Sequence, residues 1–310
     1  MAVTIKDVAK RAGVSTSTAS RALNNSSLIS AATKQKVKQV AQILNYHTNY
    51  NARNLSLDET NLVGVVSESI AGDASANLFQ MDLIQSISKS LNKRHYELVW
   101  LTGKNQDEIL KRIAKNYNQF RIKNFIFLKD ELSNEIVEFL NDNQINFLVI
   151  GHPEQKVRAI NNDNILAGKA ATEYLVKNKS SKNPLFFQSS KNQHFEQDRY
   201  LGYKDYLKSI LKTPIRLTEK TDLEQFIKAH PEIDGIVCVD DALMIKELNH
   251  ILKIDLPVIT FNDSYLVGKL LKRWTFVDLK PEVLGQEAVE VLFNKKIENK
   301  VIDFSIKDRT

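Results

Sequence analysis

Residues 4–24, TIKDVAKRAGVSTSTASRALN, constrain this chain more than any other stretch. Ile5, Val8, Ala9 and Ala12 recur at helical spacing and mark one apolar face. Thr4 stands just before that face and Asp7 three residues further on, the spacing of a capping box at a helix start. Gly13 suits the left-handed conformation that stops a helix. Val14 plugs the gap, Ser15 caps a second helix, and Ala19, Ala22 and Leu23 turn inward. Thr16, Ser17, Ser20 and Arg21 are left facing outward. Two short helices about a tight turn outline a helix-turn-helix. Hydroxyl side chains let the second helix approach base edges closely in a major groove, and arginine pairs with guanine there. Capping is the plainer reading of a Ser/Thr cluster, but four outward polar groups on one short helix exceed what caps require.

A third helix follows, capped by Ser30 or Thr33, with Val37, Val40, Ala41 and Leu44 on one stripe. Three helices in ~45 residues approach the lower limit for independent folding. Charge sharpens the picture. Residues 1–57 hold eight basic side chains and one acid, Asp7, for a net +7. The rest of the chain holds 35 basic and 36 acidic residues, so all of the +6 excess lies at the front. A basic module on a neutral body is the electrostatic footprint of nucleic-acid binding, although a solvated basic face has the same composition.

The 310 residues suggest two or three structural units. No apolar run approaches the ~18 residues of a membrane span, and the first residues lack the pattern of a secretory leader. The single cysteine, Cys238, excludes an internal disulfide and reads as a buried strand thiol in the run IVCV. A cytoplasmic address is expected. Beyond Asp58 short apolar runs alternate with amphipathic stretches. Strands are expected at 62–66, 97–101, 125–128, 147–150, 185–188, 235–239 and 258–261. Helices between them include 81–91, 134–140, 167–176, 200–207 and 243–252. This alternation argues for parallel sheets covered on both faces, in two lobes, with a ligand crevice at the carboxyl ends of the strands.

The segments VTIKDVAKRAGVSTSTASRALN, TKQKVKQVAQILNY and NARNLS together resemble the N-terminal signature of the LacI/GalR family of bacterial transcriptional regulators. The resemblance implies an α/β protein: a small all-α helix-turn-helix head with a hinge helix (residues 1–58, hinge about 48–57), then a two-lobed periplasmic-binding-protein-like domain with parallel sheets (59–310, second lobe roughly 160–280). It places Thr16, Ser17 and Arg21 at base-reading positions, Thr4, Ser20 and Asn24 on phosphates, and Ala52 and Leu55 in the minor groove. A free segment of ~8 residues is too short to hold helix in water, so the hinge would order only on DNA. His47 reads as an exposed hinge residue without a metal role. The implied partners are a palindromic operator and a second copy of the chain, as a homodimer.

The body carries the resemblance in FLVIGHP, NDNILAGKAATEYL, QDRYLGYKDYL, VDDALMIKEL and ITFNDS. By that matching Asp163, Arg199, Asp240 and Asn262 converge on a small polar effector, a sugar, since carboxylates accept from vicinal hydroxyls and arginine donates to ring oxygens. Asp163 and Asp240 each precede a helix, so capping alone would also explain them. Phe79, Trp100 and Phe261 are candidates for stacking on a sugar face, or else strand-end core aromatics. Asn262 stands where the family often has aspartate. FLVIGHP and NDNILAGKAATEYL look most like maltose/maltodextrin repressors within the family. Some members answer instead to a phosphorylated carrier protein docked on the body, and that alternative stays open.

Two rival classes fare worse. A sugar-binding transport protein would share the body but have a leader and no basic head. An enzyme would need a motif such as H-E-x-x-H, G-x-S-x-G, G-x-G-x-x-G or a P-loop, and none is present. The six histidines show no metal spacing. No catalytic residue, metal or cofactor is expected. The expectation is a repressor of carbohydrate-utilisation genes whose operator affinity a sugar modulates.

Overall fold

The computed structural model describes residues 3–23, 25–46, 60–68, 78–262 and 274–309. Asn24, His47, Ala52, Leu55 and the expected hinge helix lie outside the described residues. The chain divides into two compact units, Met1–Glu59 and Thr60–Thr310.

Among its described residues the first unit has three helices, α1 (Ile5–Ala12), α2 (Thr16–Leu23) and α3 (Ala31–Ile43). The Asp7 carboxylate accepts the Thr4 backbone N–H at 2.9 Å and its hydroxyl at 2.7 Å, fixing the start of α1. Gly13 ends that helix in the left-handed region, φ +66°. Ser15 accepts the Thr18 N–H at 3.1 Å and Ser30 the Thr33 N–H at 3.3 Å. Val8, Ala9, Ala12, Ala19, Ala22, Val37 and Ala41 form the core. Four of these seven are alanines from α1 and α2, so the two helices can cross closely without large side chains between them.

The second unit holds two six-stranded sheets. The first lobe contains β1 (Leu62–Glu68), β2 (Glu97–Gly103), β3 (Asn124–Phe127), β4 (Asn146–Ile150), β5 (Ala159–Asn162) and, much later, β11 (Asn299–Ile302), ordered β11-β5-β4-β3-β1-β2. The second contains β6 (Pro184–Gln188), β7 (Ile215–Thr218), β8 (Gly235–Cys238), β9 (Val258–Phe261), β10 (Thr275–Asp278) and β12 (Ser305–Asp308), ordered β12-β10-β9-β8-β6-β7. All pairings are parallel except β10 with β12. The seven expected strands are present, and β5, β7, β10, β11 and β12 join them.

Helices cover both faces. In the first lobe α4 (Leu78–Lys93) lies with the late helix α12 (Pro281–Phe293) over one face, and α5 (Gln106–Phe120) and α6 (Asn134–Asp142) over the other. In the second lobe α7 (Asn164–Asn178), α8 (His194–Ser209), α9 (Leu223–Ala229), α10 (Asp241–Lys246) and α11 (Leu248–Ile251) surround the sheet. The helix expected over 243–252 is two helices, parted at Glu247 (φ −94°, ψ 12°). Among the described residues the chain passes between lobes three times: Asn162 to Asn164, Leu279 to Pro281, and Ile302 to Ser305. Among the described residues no helix is long and apolar enough to cross a membrane.

Candidate functional site: a helix surface and an interlobe cleft

On the head, Thr16, Ser17 and Arg21 are exposed along α2, while Ser20 is half-buried. The Ser17 hydroxyl lies 2.9 Å from that of Ser15. Arg21 makes no side-chain hydrogen bond with any described residue. Thr4 is exposed, with its hydroxyl held by Asp7.

In the body a cavity of about 650 Å³ opens between the lobes at the carboxyl ends of both sheets. Arg199 of α8 lies at its base, buried. Two glycines put it there. A Cβ on Gly168 of α7 would lie 2.1 Å from the Arg199 carbonyl oxygen, and one on Gly202 would lie 1.9 Å from that of Ile165. Only bare backbone lets α7 and α8 approach so closely, which explains Gly202 in the segment QDRYLGYKDYL. Arg199 donates from Nε to Asn164 Oδ1 at 3.0 Å and from Nη1 to the Val239 carbonyl at 2.7 Å. The rings of Phe261 and Phe195 flank its guanidinium at 4.2 and 4.7 Å. Nη2 has no partner among the described residues. Burial lowers the Arg199 pKa to about 10, against the pull of Asp240 and Asp241, so the group stays charged at neutral pH.

Carboxylates surround this cation. Asp240, half-buried at the end of β8, caps α10 by accepting the Leu243 N–H at 2.7 Å. Burial raises its pKa, with the Leu243 N–H and Arg199 opposing. Burial, then the neighbouring Asp240, pushes Asp241 up to about 7. Glu196, three residues before Arg199 and so on the same helical face, is also raised by burial. Asn262 ends β9 in the left-handed region, φ 70°, and donates to Asp241 Oδ1 at 3.1 Å. An aspartate there would set a third carboxylate beside Asp240 and Asp241, and the amide avoids that repulsion.

Three buried acceptors of the lining lack any partner among the described residues: Glu196 Oε2, Asp241 Oδ2 and Asn262 Oδ1. Each unpaired buried acceptor costs on the order of 1–3 kcal/mol, which a ligand carrying O–H donors would recover. Nearer the rim charges are matched: Lys246 pairs with Glu219 at 2.8 Å and Lys129 with Glu68. Although burial pushes Glu219 up, the bonds from Lys246 and Ser190 hold it at about 2.

Two matches cover the chain. Residues 4–49 match the model of bacterial regulatory proteins of the lacI family, and residues 70–303 that of periplasmic binding proteins and the sugar binding domain of the LacI family. The chain belongs to the LacI family of bacterial regulatory proteins. It is a helix-turn-helix transcriptional repressor of the kind that controls carbohydrate genes. It is 33% identical to the HTH-type transcriptional regulator MalR of Streptococcus pneumoniae, across 97% of this chain and 94% of that protein. It is 30% identical to MalR of Staphylococcus xylosus, across 94% and 91% respectively. Its fold matches a lac repressor dimer bound to operator and the anti-inducer ONPF, with a TM-score of 0.81 at 19% identity over 100% of this chain and 99% of that one.

Within this LacI-family body the cleft gathers most of the residues expected there. Phe79, Arg199, Asp240 and Asn262 line it. Asp163 does not. It is exposed, and its carboxylate accepts the Leu166 N–H at 2.8 Å as the N-cap of α7. Its neighbours Asn162 and Asn164 line the cleft instead, because the chain leaves an extended strand here and adjacent side chains point to opposite sides. Trp100 lies outside the lining on β2, its Nε1 donating to Ser67 at 2.9 Å. Phe261 is fully buried and packs on Arg199, a core aromatic. Asn164, Glu196 and Asp241 are additions. The doublet Asp240-Asp241 at a strand end and the spacing E-x-x-R in 196–199 are the sequence signals that mark two of them.

Proposed function

We propose that this repressor binds a near-palindromic operator as a homodimer in the cytoplasm and that a neutral sugar in the interlobe cleft controls its grip. In this reading α2 enters each major-groove half-site, where Thr16, Ser17 and Arg21 read bases while Thr4, Ser20 and Asn24 hold phosphates. Ala52 and Leu55 take the central minor groove as an apolar wedge.

The observation that carries the effector assignment is the set of three buried acceptors, without a partner among the described residues, in the cleft that Arg199 also lines. A polyhydroxylated, uncharged molecule supplies the missing donors. A second anion would meet Glu196, Asp240 and Asp241 with one deep cation to offset them. Phe79 offers an apolar surface for a sugar ring. The names of the MalR relatives direct the first choice to maltose and short maltodextrins.

Occupancy of the cleft changes the angle between lobes and thereby the order of the hinge segment, at a coupling of about 1–3 kcal/mol. Operator selection with the purified protein, followed by fluorescence anisotropy on the selected duplex with and without maltose, tests the whole reading. The expected result is a preference for a two-fold symmetric duplex and a change in affinity with maltose. No preference over random duplex overturns the DNA assignment. Operator binding that ignores a panel of neutral sugars overturns the effector assignment and favours control by a carrier protein.

A further inference from the structure

The three passages between lobes meet at one side chain. Asn162 ends β5, is 4% exposed and belongs to the first passage. Its Nδ2 donates to the carbonyl of Leu279, in the second passage, at 3.1 Å and to the carbonyl of Ile302, in the third, at 2.9 Å. One amide thus uses both its hydrogens to hold two chain segments more than a hundred residues away. The same residue terminates a polar chain from the cleft. Arg199 donates to Asn164 Oδ1 at 3.0 Å, and Asn164 Nδ2 lies 3.4 Å from the Asn162 carbonyl. All three residues are buried.

We propose that Asn162 is the pin of the interlobe hinge: by holding the three passages in one register it sets the angle between lobes on which the response to cleft occupancy depends. A packed amide with both hydrogens bonded has few ways to be half-made, which favours discrete hinge positions over a continuum. Leucine has nearly the same size but donates nothing, and would leave the Leu279 and Ile302 carbonyls free to drift apart. Asn162 acts through the passages it ties, so it is a positioning residue. The role in the response rests on the cleft being the effector site; the pin itself does not.

The test uses the full chain with spin labels at Lys115→Cys on α5 and Lys208→Cys on α8, both exposed sites in opposite lobes. Cys238 is buried and stays in place. Labelled protein is diluted into unlabelled protein so that measured pairs lie within one chain. Pulsed dipolar spectroscopy is expected to give one narrow interlobe distance without the substitution and a distribution about twofold wider or more in Asn162→Leu. Asn162→Ser, which keeps one donor, serves if Asn162→Leu does not fold, and is expected to widen it less. An unchanged distribution in a folded variant overturns the pin. A second readout separates positioning from general stability. At maltose concentrations that saturate the variant, its operator response is expected to fall below about twofold. A parental response in the variant also overturns the proposal. Should maltose leave the parent's operator affinity unchanged, the effector reading fails and the distance distribution alone decides the pin.

Discussion

Arg21 and Arg199 are the same side chain in opposite settings. Arg21 stands exposed on a short helix over a core built largely of alanine. Arg199 is buried between two rings, bonded to a side-chain amide and a main-chain carbonyl, with three carboxylates close by. An exposed cation costs little to keep and gains its meaning only from what it meets. A buried one must be compensated by a shell of partners, and that shell defines what can bind. In the proposed function the head therefore carries its recognition on a few removable side chains, whereas the body carries it in an arrangement.

Removal of the two arginines should expose that contrast. The largest effect is expected of Arg199→Ala, which should weaken maltose binding by about 2–5 kcal/mol, because Asp240, Asp241 and Glu196 lose their cation. Titration calorimetry measures the loss, and operator binding without sugar should persist. A normal sugar isotherm would remove Arg199 from the site. Arg21→Ala should cost about 1–3 kcal/mol on the operator and relax selectivity at one base pair while leaving the fold intact. Uniform weakening on every duplex would show that Arg21 only holds phosphate.

A smaller effect separates Asp163 from the residues once grouped with it. Asp163→Ala should lower stability by about 1 kcal/mol through the lost cap and leave sugar affinity unchanged. Denaturant midpoints and calorimetry together read both, and a weakened sugar isotherm would return Asp163 to the cleft. The fourth is a pH effect. Asp241 has a folded pKa of about 7 against an ordinary 3.8, so it favours the folded state most below pH 4, and that contribution is lost as pH rises through 7. Asp240, Glu196 and Asp130 shift in the same direction. The thermal midpoint of the body should therefore fall between pH 5 and pH 8, and Asp241→Asn should flatten the fall. An equal slope in the variant would place the titration elsewhere.

The same contrast governs how much could be read from sequence. In the head every determinant is local: Asp7 caps three residues back, Gly13 stops the helix it follows, and Ser15 and Ser30 cap the turns they precede. Buried central strands such as PLFFQ and GIVC declare themselves as apolar runs. The strands β5 (AINN), β7 (IRLT), β11 (NKVI) and β12 (SIKD) are short and polar, and three of them are sheet edges, so no apolar run announces them. Of the five residues that the family resemblance assigns to an effector, Phe79, Arg199, Asp240 and Asn262 line the cleft, whereas Asp163 caps α7 outside it. Spacing along the chain says which segment reaches the site, but the parity of side chains at a strand end decides which residue enters it. Asn164 gave no signal of its own, since its role exists only where α7 meets α8.

The first lobe closes with pieces made late. Leu284, Ala288, Val289, Val291 and Leu292 of α12 complete the apolar layer that Val63, Val65, Leu83 and Ile87 begin, and β11 supplies the sheet's outer strand. During synthesis the ribosome therefore delivers a lobe whose oily flank stays unclad for some two hundred residues of elongation. The second lobe needs only β12 from beyond residue 300 and can mature earlier. The lobe that is begun first is thus closed only after the buried core residues of the second lobe have all been made.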